Sequence, residues 1–299
     1  MPELPDVALY VEHLDRRIVG HTLERVRVAG WNLLRTTAPP ITGAEGRVVR
    51  GVERRGKRIV LALERGPFLA LHLMIAGRLH WRKPAAPLPR KVGLAAFDFA
   101  PGSLVLTEAS SRQRAGLHVL ADEAALAALD AGGAEPLTVD RAGFAAALAR
   151  EDHTLKRALT DPRLFSGIGN AYSDEILHRA RLSPFKRTSQ MSDEDVARLH
   201  EATVAVLHEW IVRLRAETGD GFPEHVTAFR EGFAVHGRYR RPCPVCGSPV
   251  QRVVYAENEM NYCATCQTAG RLLADRALSR LLRDDWPRTL EELEERRRS

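Results

Sequence analysis

The chain has 299 residues, with 44 Lys and Arg against 38 Asp and Glu and a net charge of +6. That length favours two domains with sizeable cores, and the positive balance suits a polyanionic partner. No apolar run approaches the roughly 18 residues that a membrane span needs, and no charged-then-apolar signal segment opens the chain, so no membrane association and a cytoplasmic location are expected.

The chain opens Met1-Pro2-Glu3-Leu4-Pro5-Asp6. Small Pro2 after the initiator predicts removal of Met1, which would leave Pro2 with a free secondary amine. An α-amino group has an ordinary pKa of about 7.7–8.0, so a sizeable fraction is unprotonated near neutral pH. Such an amine can attack a sugar or carbonyl carbon and form a covalent adduct. From a secondary amine that adduct is an iminium, an electron sink that is charged without a proton. Glu3 stands beside it as a carboxyl able to move protons. The alternative is a flexible terminus with no chemistry.

Val7, Val11, Leu14 and Ile18 recur at helical spacing, and Gly20 closes the run. A helix here would anchor the chain end. Strand-like runs follow at 22–28, 48–54, 58–63, 68–73, 94–99, 104–106 and 117–120. Glycine and proline turns separate them, the pattern of a β-sandwich or barrel. Arg54-Arg55-Gly56-Lys57-Arg58 reads as a turn between strands, either a solvated hairpin tip or a phosphate contact. His72, taken alone, reads as a satisfied core histidine. The segment 82–91 reads as a loop, and 110–116 as a polar turn carrying Arg112 and Arg114.

From Asp122 the composition turns Ala-rich, with helices expected at 123–131 and 141–149 and a linker at 131–136. Thr154–Asp161 reads as a short helix. Gly167-Ile168-Gly169-Asn170 then opens another, and the spacing predicts exposed backbone amides suited to an anion. Ser192 with Asp195 caps a long helix whose core face is Val196, Leu199, Val206, Leu207, Trp210, Ile211 and Leu214.

Cys243-Pro-Val-Cys246 and Cys263-Ala-Thr-Cys266 flank a strand at 250–255. In a reducing compartment the two pairs read as metal ligands rather than disulfides. Four cysteines at this spacing suit a closed, structural zinc site. In the tail, Leu272, Leu273, Ala277, Leu278, Leu281 and Leu282 fall on one helical face. Thr289 with Glu292 resembles a capping box opening a charged helix.

Four landmarks in this order resemble the formamidopyrimidine-DNA glycosylase/endonuclease VIII family over roughly residues 2–267. They are the Pro2-Glu3-Leu4-Pro5-Asp6-Val7 start, which looks like the formamidopyrimidine branch; Arg54-Arg55-Gly56-Lys57, similar to a β-loop lysine; the Gly167–Tyr172 run, similar to a helix–two-turn–helix element; and the cysteine spacing with the preceding Val235-His236-Gly237-Arg238. The resemblance implies an α+β fold. An N-terminal β-sandwich with flanking helices (2–130) would precede a helix–two-turn–helix domain (136–235), a β-ribbon zinc finger (238–267) and a helical C-terminal extension (268–299).

It also implies roles. Pro2 would be the nucleophile at the sugar C1′, and Glu3 the acid/base that opens the ring. Lys57, His72 and Asn170 would contact phosphates around the lesion, with Arg112 or Arg114 in the loop that enters the duplex. The expected protein is a monomeric glycosylase with AP-lyase activity on damaged, double-stranded DNA, cleaving by β,δ-elimination and holding structural zinc.

Departures from the family pattern lie in the recognition parts. The Asp-Pro-Arg-Arg-Phe-Gly loop is replaced by Glu108–Gly116, without the Phe. The wedge position falls on Met74 or Ile75. Asn258, between Glu257 and Glu259, stands where the ribbon usually offers Arg to phosphate, which predicts a locally unfavourable field. Thr218–Phe233 is short for a lesion-capping loop. These changes motivate an alternative: a relative that binds abasic or branched DNA with weak or no base excision. Pro2, Glu3 and Lys57 argue for the enzyme.

Overall fold

The computed structural model describes residues 1–224, 226, 229–255, 258–274 and 287–298. The chain divides into two compact units: residues 1–132 with 209–228, and residues 133–208 with 229–299.

In the first unit, α1 (Leu4–Ile18) places Val7, Tyr10, Leu14 and Ile18 in the core. Two antiparallel sheets follow. One has the order β1 (Thr22–Leu23), β3 (Arg47–Arg55), β4 (Arg58–Leu63), β5 (Phe68–His72), β9 (Gly116–Leu120). The other has the order β2 (Arg25–Val28), β7 (Gly93–Phe99), β8 (Gly102–Glu108), β6 (Gly77–Arg82). Alternation along the strands sorts their side chains. Ile59, Leu61 and Leu63 of β4 and Leu69 and Leu71 of β5 join Phe97, Phe99, Leu104 and Leu106 of the other sheet in one shared core. Val60, Ala70 and Leu120 face the other way, under Leu126 of α2 (Glu123–Ala127).

Two strand expectations need correction. The run 22–28 is two strands in different sheets: Thr22 pairs with Val48, whereas Arg25 pairs with Asp98. The edge strand β6 was not foreseen, although Leu79 and Trp81 alternate with Arg78, His80 and Arg82. Its polar face is held by a remote residue. Glu224 lies 2.5 Å from His80 Nδ1 and accepts from Arg82 at 2.7 and 3.1 Å. The helix at 123–131 is also shorter than expected, ending at Ala127.

In the second unit are α3 (Arg141–Ala149), α4 (Leu155–Thr160), α5 (Asn170–Arg179) and α6 (Asp193–Thr218), which continues into the first unit from Glu209. Ser192 and Asp195 cap α6 reciprocally, at 3.2 and 3.3 Å. Its expected core face is buried, with Val196 half-buried. Its last turns belong to the first unit, where Arg215 forms a two-pronged ion pair with Glu12 of α1 at 2.6 and 2.9 Å. A ribbon of β10 (Gln251–Tyr255) and β11 (Asn258–Tyr262) leads into α7 (Ala264–Thr268). In the tail, Leu272 and Leu273 are not helical. Arg271 bridges Thr289, and Leu272 N–H donates to Arg288. Ala277, Leu278, Leu281 and Leu282 lie outside the described residues. Thr289 accepts from Glu292 N–H at 3.2 Å and opens α8 (Leu290–Arg298) as expected.

Candidate active site and metal centre

The chain end is built into the fold. Pro5 stands in the first turn of α1, and Glu3 is its N-cap. Glu3 N–H donates to Asp6 Oδ2 at 2.8 Å, and the Glu3 side chain returns to the Asp6 backbone, a reciprocal capping box. Pro2, Glu3 and Asp6 are all buried, so this terminus does not fray. The Met1 α-amine, one residue before Pro2, is held below its ordinary pKa. Burial is the largest cause. The charges of Arg78 and Lys57 push the same way, and Glu3 and Asp6 oppose them. Charges of both signs therefore act on the chain end.

Lys57 stands in the two-residue turn joining β3 and β4, where Arg55 pairs with Arg58. Gly56 takes φ +61°, open to glycine at little cost, as the first centre of such a hairpin requires. Arg54 braces the turn by donating to the Gly56 carbonyl at 2.9 Å. Lys57 and Gly56 are half-buried, and Arg55 beside them is exposed. His72 ends β5, paired with Arg58, and is half-buried rather than in the core. Burial first, then Arg58, Lys57 and His118, push its pKa down to about 4. At neutral pH it is an uncharged imidazole beside two cations, able to donate to an anion without contributing charge.

Between β5 and β6 the chain makes a tight turn. Gly77 N–H donates to the Leu73 carbonyl at 2.9 Å. A Cβ at Gly77 would meet that oxygen at 2.2 Å, so only glycine fits. Met74 is left-handed, with φ +51°, and half-buried, whereas Ile75 is 58% exposed at the tip. Arg78 donates to the carbonyls of Ile75 and Gly77 at 3.2 and 2.7 Å, bracing the turn from below. Arg112 and Arg114 are exposed on the 109–115 loop. Buried Glu108 holds the end of that loop, its Oε2 accepting from Arg114 and Ala115 N–H at 2.9 Å each.

Asn170 lies in the second unit, as the first residue of α5, and its Nδ2 donates to the Glu259 carbonyl at 2.8 Å. The expected exposure of amides here is not what the structure has. Residues 167–169 and 171–173 are buried, because the turn packs into the unit's interior. Beneath it, buried Lys156 donates to the Asn170 carbonyl, Ser173 Oγ and Asp174 Oδ1 at 2.7, 2.8 and 2.5 Å. Asp174 Oδ2 lies 2.7 Å from His236 Nδ1 and accepts from Asn261 N–H at 3.1 Å. Glu175 accepts from the N–H groups of Ala234, Val235 and His236. A buried charge is tolerated only with such complete pairing.

Cys243, Cys246, Cys263 and Cys266 converge, with ligand atoms all within 4.8 Å of one another. Cys246 and Cys263 sulfurs are 3.4 Å apart, and Cys243 and Cys266 4.0 Å. Disulfide sulfurs would be about 2.05 Å apart. Four sulfurs about 2.3 Å from a tetrahedral metal would be separated by about 3.8 Å, so the set fits a metal ion. Gly247, with φ +76°, turns the first knuckle. On the ribbon, Glu259 pairs with Arg252 at 3.0 Å and accepts from Asn261 Nδ2 at 2.9 Å. Its charge is thus paired, while the other half of the expected field, Glu257, lies with the Asn258 side chain outside what is described.

Sequence reasoning did not single out Arg78, Glu108 or Lys156. Alternation along 78–82 was a usable signal for Arg78. Glu108 binds backbone only six and seven positions on, whereas the partners of Lys156 lie 14 to 18 positions away.

Residues 1–115 match the family model of the formamidopyrimidine-DNA glycosylase N-terminal domain, and residues 133–219 that of its H2TH domain. The chain is 35% identical over 277 residues to the formamidopyrimidine-DNA glycosylase of Roseiflexus sp. (strain RS-1), covering 89% of this chain and 100% of the relative. It is 42% identical over 151 residues to an uncharacterized formamidopyrimidine-DNA glycosylase-like protein of Mycobacterium tuberculosis, covering 50% of this chain and 94% of that one. Among solved structures, the complex of Lactococcus lactis Fpg with DNA containing an abasic site shares the fold. Its TM-score is 0.79 at 24% identity, covering 89% of this chain and 99% of that one.

Proposed function

This chain belongs to the formamidopyrimidine-DNA glycosylase family, and we propose that it excises oxidised bases from duplex DNA and then cleaves the strand at the abasic site. The observation that carries the reading is the buried chain end, where the charges of Glu3, Asp6, Lys57 and Arg78 all act on the Met1 amine. The capping box accounts for Glu3 and Asp6 but gives no role to Lys57. Loss of Met1 exposes the Pro2 nitrogen as a secondary amine in that setting, with a lone pair available near neutral pH.

The Pro2 lone pair attacks C1′ of the sugar, the glycosidic C1′–N bond breaks with its electron pair leaving on the base, and the proton lost from the Pro2 nitrogen goes to the departing base. Glu3, next in the chain, gives a proton to the ring oxygen, and the C1′–O4′ bond opens to the iminium. Loss of a C2′ proton into this electron sink expels the 3′ phosphate, and a second elimination expels the 5′ phosphate. Water then releases Pro2. Lys57 and neutral His72 hold phosphates flanking the extruded nucleotide, and Asn170 adds a contact from α5. Arg112 and Arg114 are the exposed cations of the loop that enters the duplex. The four cysteines hold zinc, which supplies no chemistry to the reaction and stabilises the ribbon. The enzyme acts as a monomer.

A second reading is a binder of abasic or branched DNA with little excision. It is favoured by the 109–115 loop, which offers no aromatic side chain to fill the gap left by a base.

The test is borohydride trapping on duplexes carrying 8-oxoguanine, formamidopyrimidine, thymine glycol, dihydrouracil or an abasic site. A covalent adduct on a modified base with δ-elimination ends is expected, with Pro2 as the N-terminal residue by mass spectrometry. Adducts confined to the abasic duplex would favour the second reading. No adduct on any duplex, or full trapping by a Pro2→Gly variant, would remove Pro2 from its role as unique nucleophile.

A further inference from the structure

One face of α5 runs along the zinc ribbon. Asn170, Asp174 and His178 are spaced by four residues, which stacks them on one side of a helix over about 12 Å. Each reaches the ribbon or its metal site. Asn170 Nδ2 donates to the Glu259 carbonyl at 2.8 Å. Asp174 Oδ2 accepts from Asn261 N–H at 3.1 Å. His178 Nε2 lies 3.3 Å from Cys243 Sγ. Glu259 and Asn261 are two apart on β11, so their backbone groups lie on the same edge of the strand. The first two side chains thus cap an edge that would otherwise lack partners.

The third contact differs in kind. Its acceptor is a metal-ligating sulfur, and a thiolate can only accept. The contact is therefore an N–H···S hydrogen bond with the proton on Nε2. His178 is 6% exposed and Cys243 2%, so water does not compete. Four thiolates around a dication leave the site doubly negative, and a hydrogen bond to one sulfur spreads that charge and fixes the ligand's direction.

Resting on the reading of the four cysteines as a zinc site, we propose that His178 is a positioning residue of the metal centre. It holds the Cys243 thiolate and joins the metal, through the shared face of α5, to Asn170 at the other end of the helix. Zinc occupancy then sets the placement of Asn170 as well as the fold of the ribbon.

The test compares the full-length wild type with His178→Phe, which fills the space without a donor, and His178→Gln, whose amide restores an N–H near the same place. Zinc release to a chromophoric chelator is followed at fixed pH without DNA, and the sulfur-to-metal charge-transfer band is recorded after cobalt substitution. The Phe variant is expected to release metal about ten times faster or more, with a shifted band, and the Gln variant to stay near wild type. With limiting zinc, the Phe variant should lose affinity for a duplex carrying a tetrahydrofuran abasic analogue, and saturating zinc should restore it. Wild-type release by the Phe variant overturns the proposal, as does equally fast release by both variants, which would mean packing alone. A wild-type chain that takes up no metal also overturns it. A chain that shows the expected release pattern yet traps no abasic DNA upholds it while the lyase reading falls.

Discussion

Arg78 shows how much one side chain changes at this site. Its guanidinium bonds the carbonyls of Ile75 and Gly77, and its charge lowers the pKa of the Met1 amine; the same charge acts on the Pro2 amine that loss of Met1 exposes. Removing that charge favours the protonated amine, so the pKa rises. In an Arg78→Gln variant the acid limb of the pH profile for borohydride trapping should therefore move to higher pH, with the alkaline plateau kept. A limb that stays in place would mean the cation does not act on the nucleophile. His72, pushed down to about 4, should add no limb of its own between pH 5 and 8.

At the scale of the element, the turn from Leu73 to Gly77 is the part most clearly shaped for contact. A glycine that admits no Cβ, a left-handed Met74 and the Arg78 brace together present Ile75 as an exposed apolar tip. Water gains nothing from such a tip, whereas an unstacked base step does. Ile75→Ala should reduce excision of a modified base by roughly tenfold, a fraction of the cost of unstacking. Trapping on a ready-made abasic site should change little. Equal loss on both substrates would assign Ile75 to general binding, and no loss on either would leave Met74 as the wedge. The β3–β4 hairpin is shaped with similar economy, by Gly56 at the one position that needs positive φ.

At the scale of the whole molecule, the described clusters of the two units differ in size. The first buries both sheets and α1 together. In the second, beside the residues buried along α3 to α6, a small cluster surrounds the cysteines, with Val235 and Val250 packed against Cys243 and Cys263. So small a cluster relies on its metal. Chelation should abolish amide protection across residues 234–267 while β3, β4 and β5 keep theirs, as read by hydrogen exchange. Loss of protection in those strands as well would mean that the metal supports the entire chain.

The sequence by itself determined whatever rests on neighbours in the chain. The Cys-x-x-Cys pairs, the Ser192–Asp195 cap, the α1 periodicity and the Arg55–Arg58 hairpin all depend on spacings of a few residues, and all were legible. Buried charge was not. Lys156 could be taken for a solvated helix residue until Asp174, 18 positions on, is placed against it. His178 meets Cys243 across 65 positions, and Glu224 reaches His80 across 144. A charged side chain enters the interior only when a partner awaits it there. Which partner that is depends on how strands and helices from distant segments pack, and no local pattern of residues encodes it. For the same reason the glycines at 167 and 169 read as an open anion site, until tertiary packing buried them.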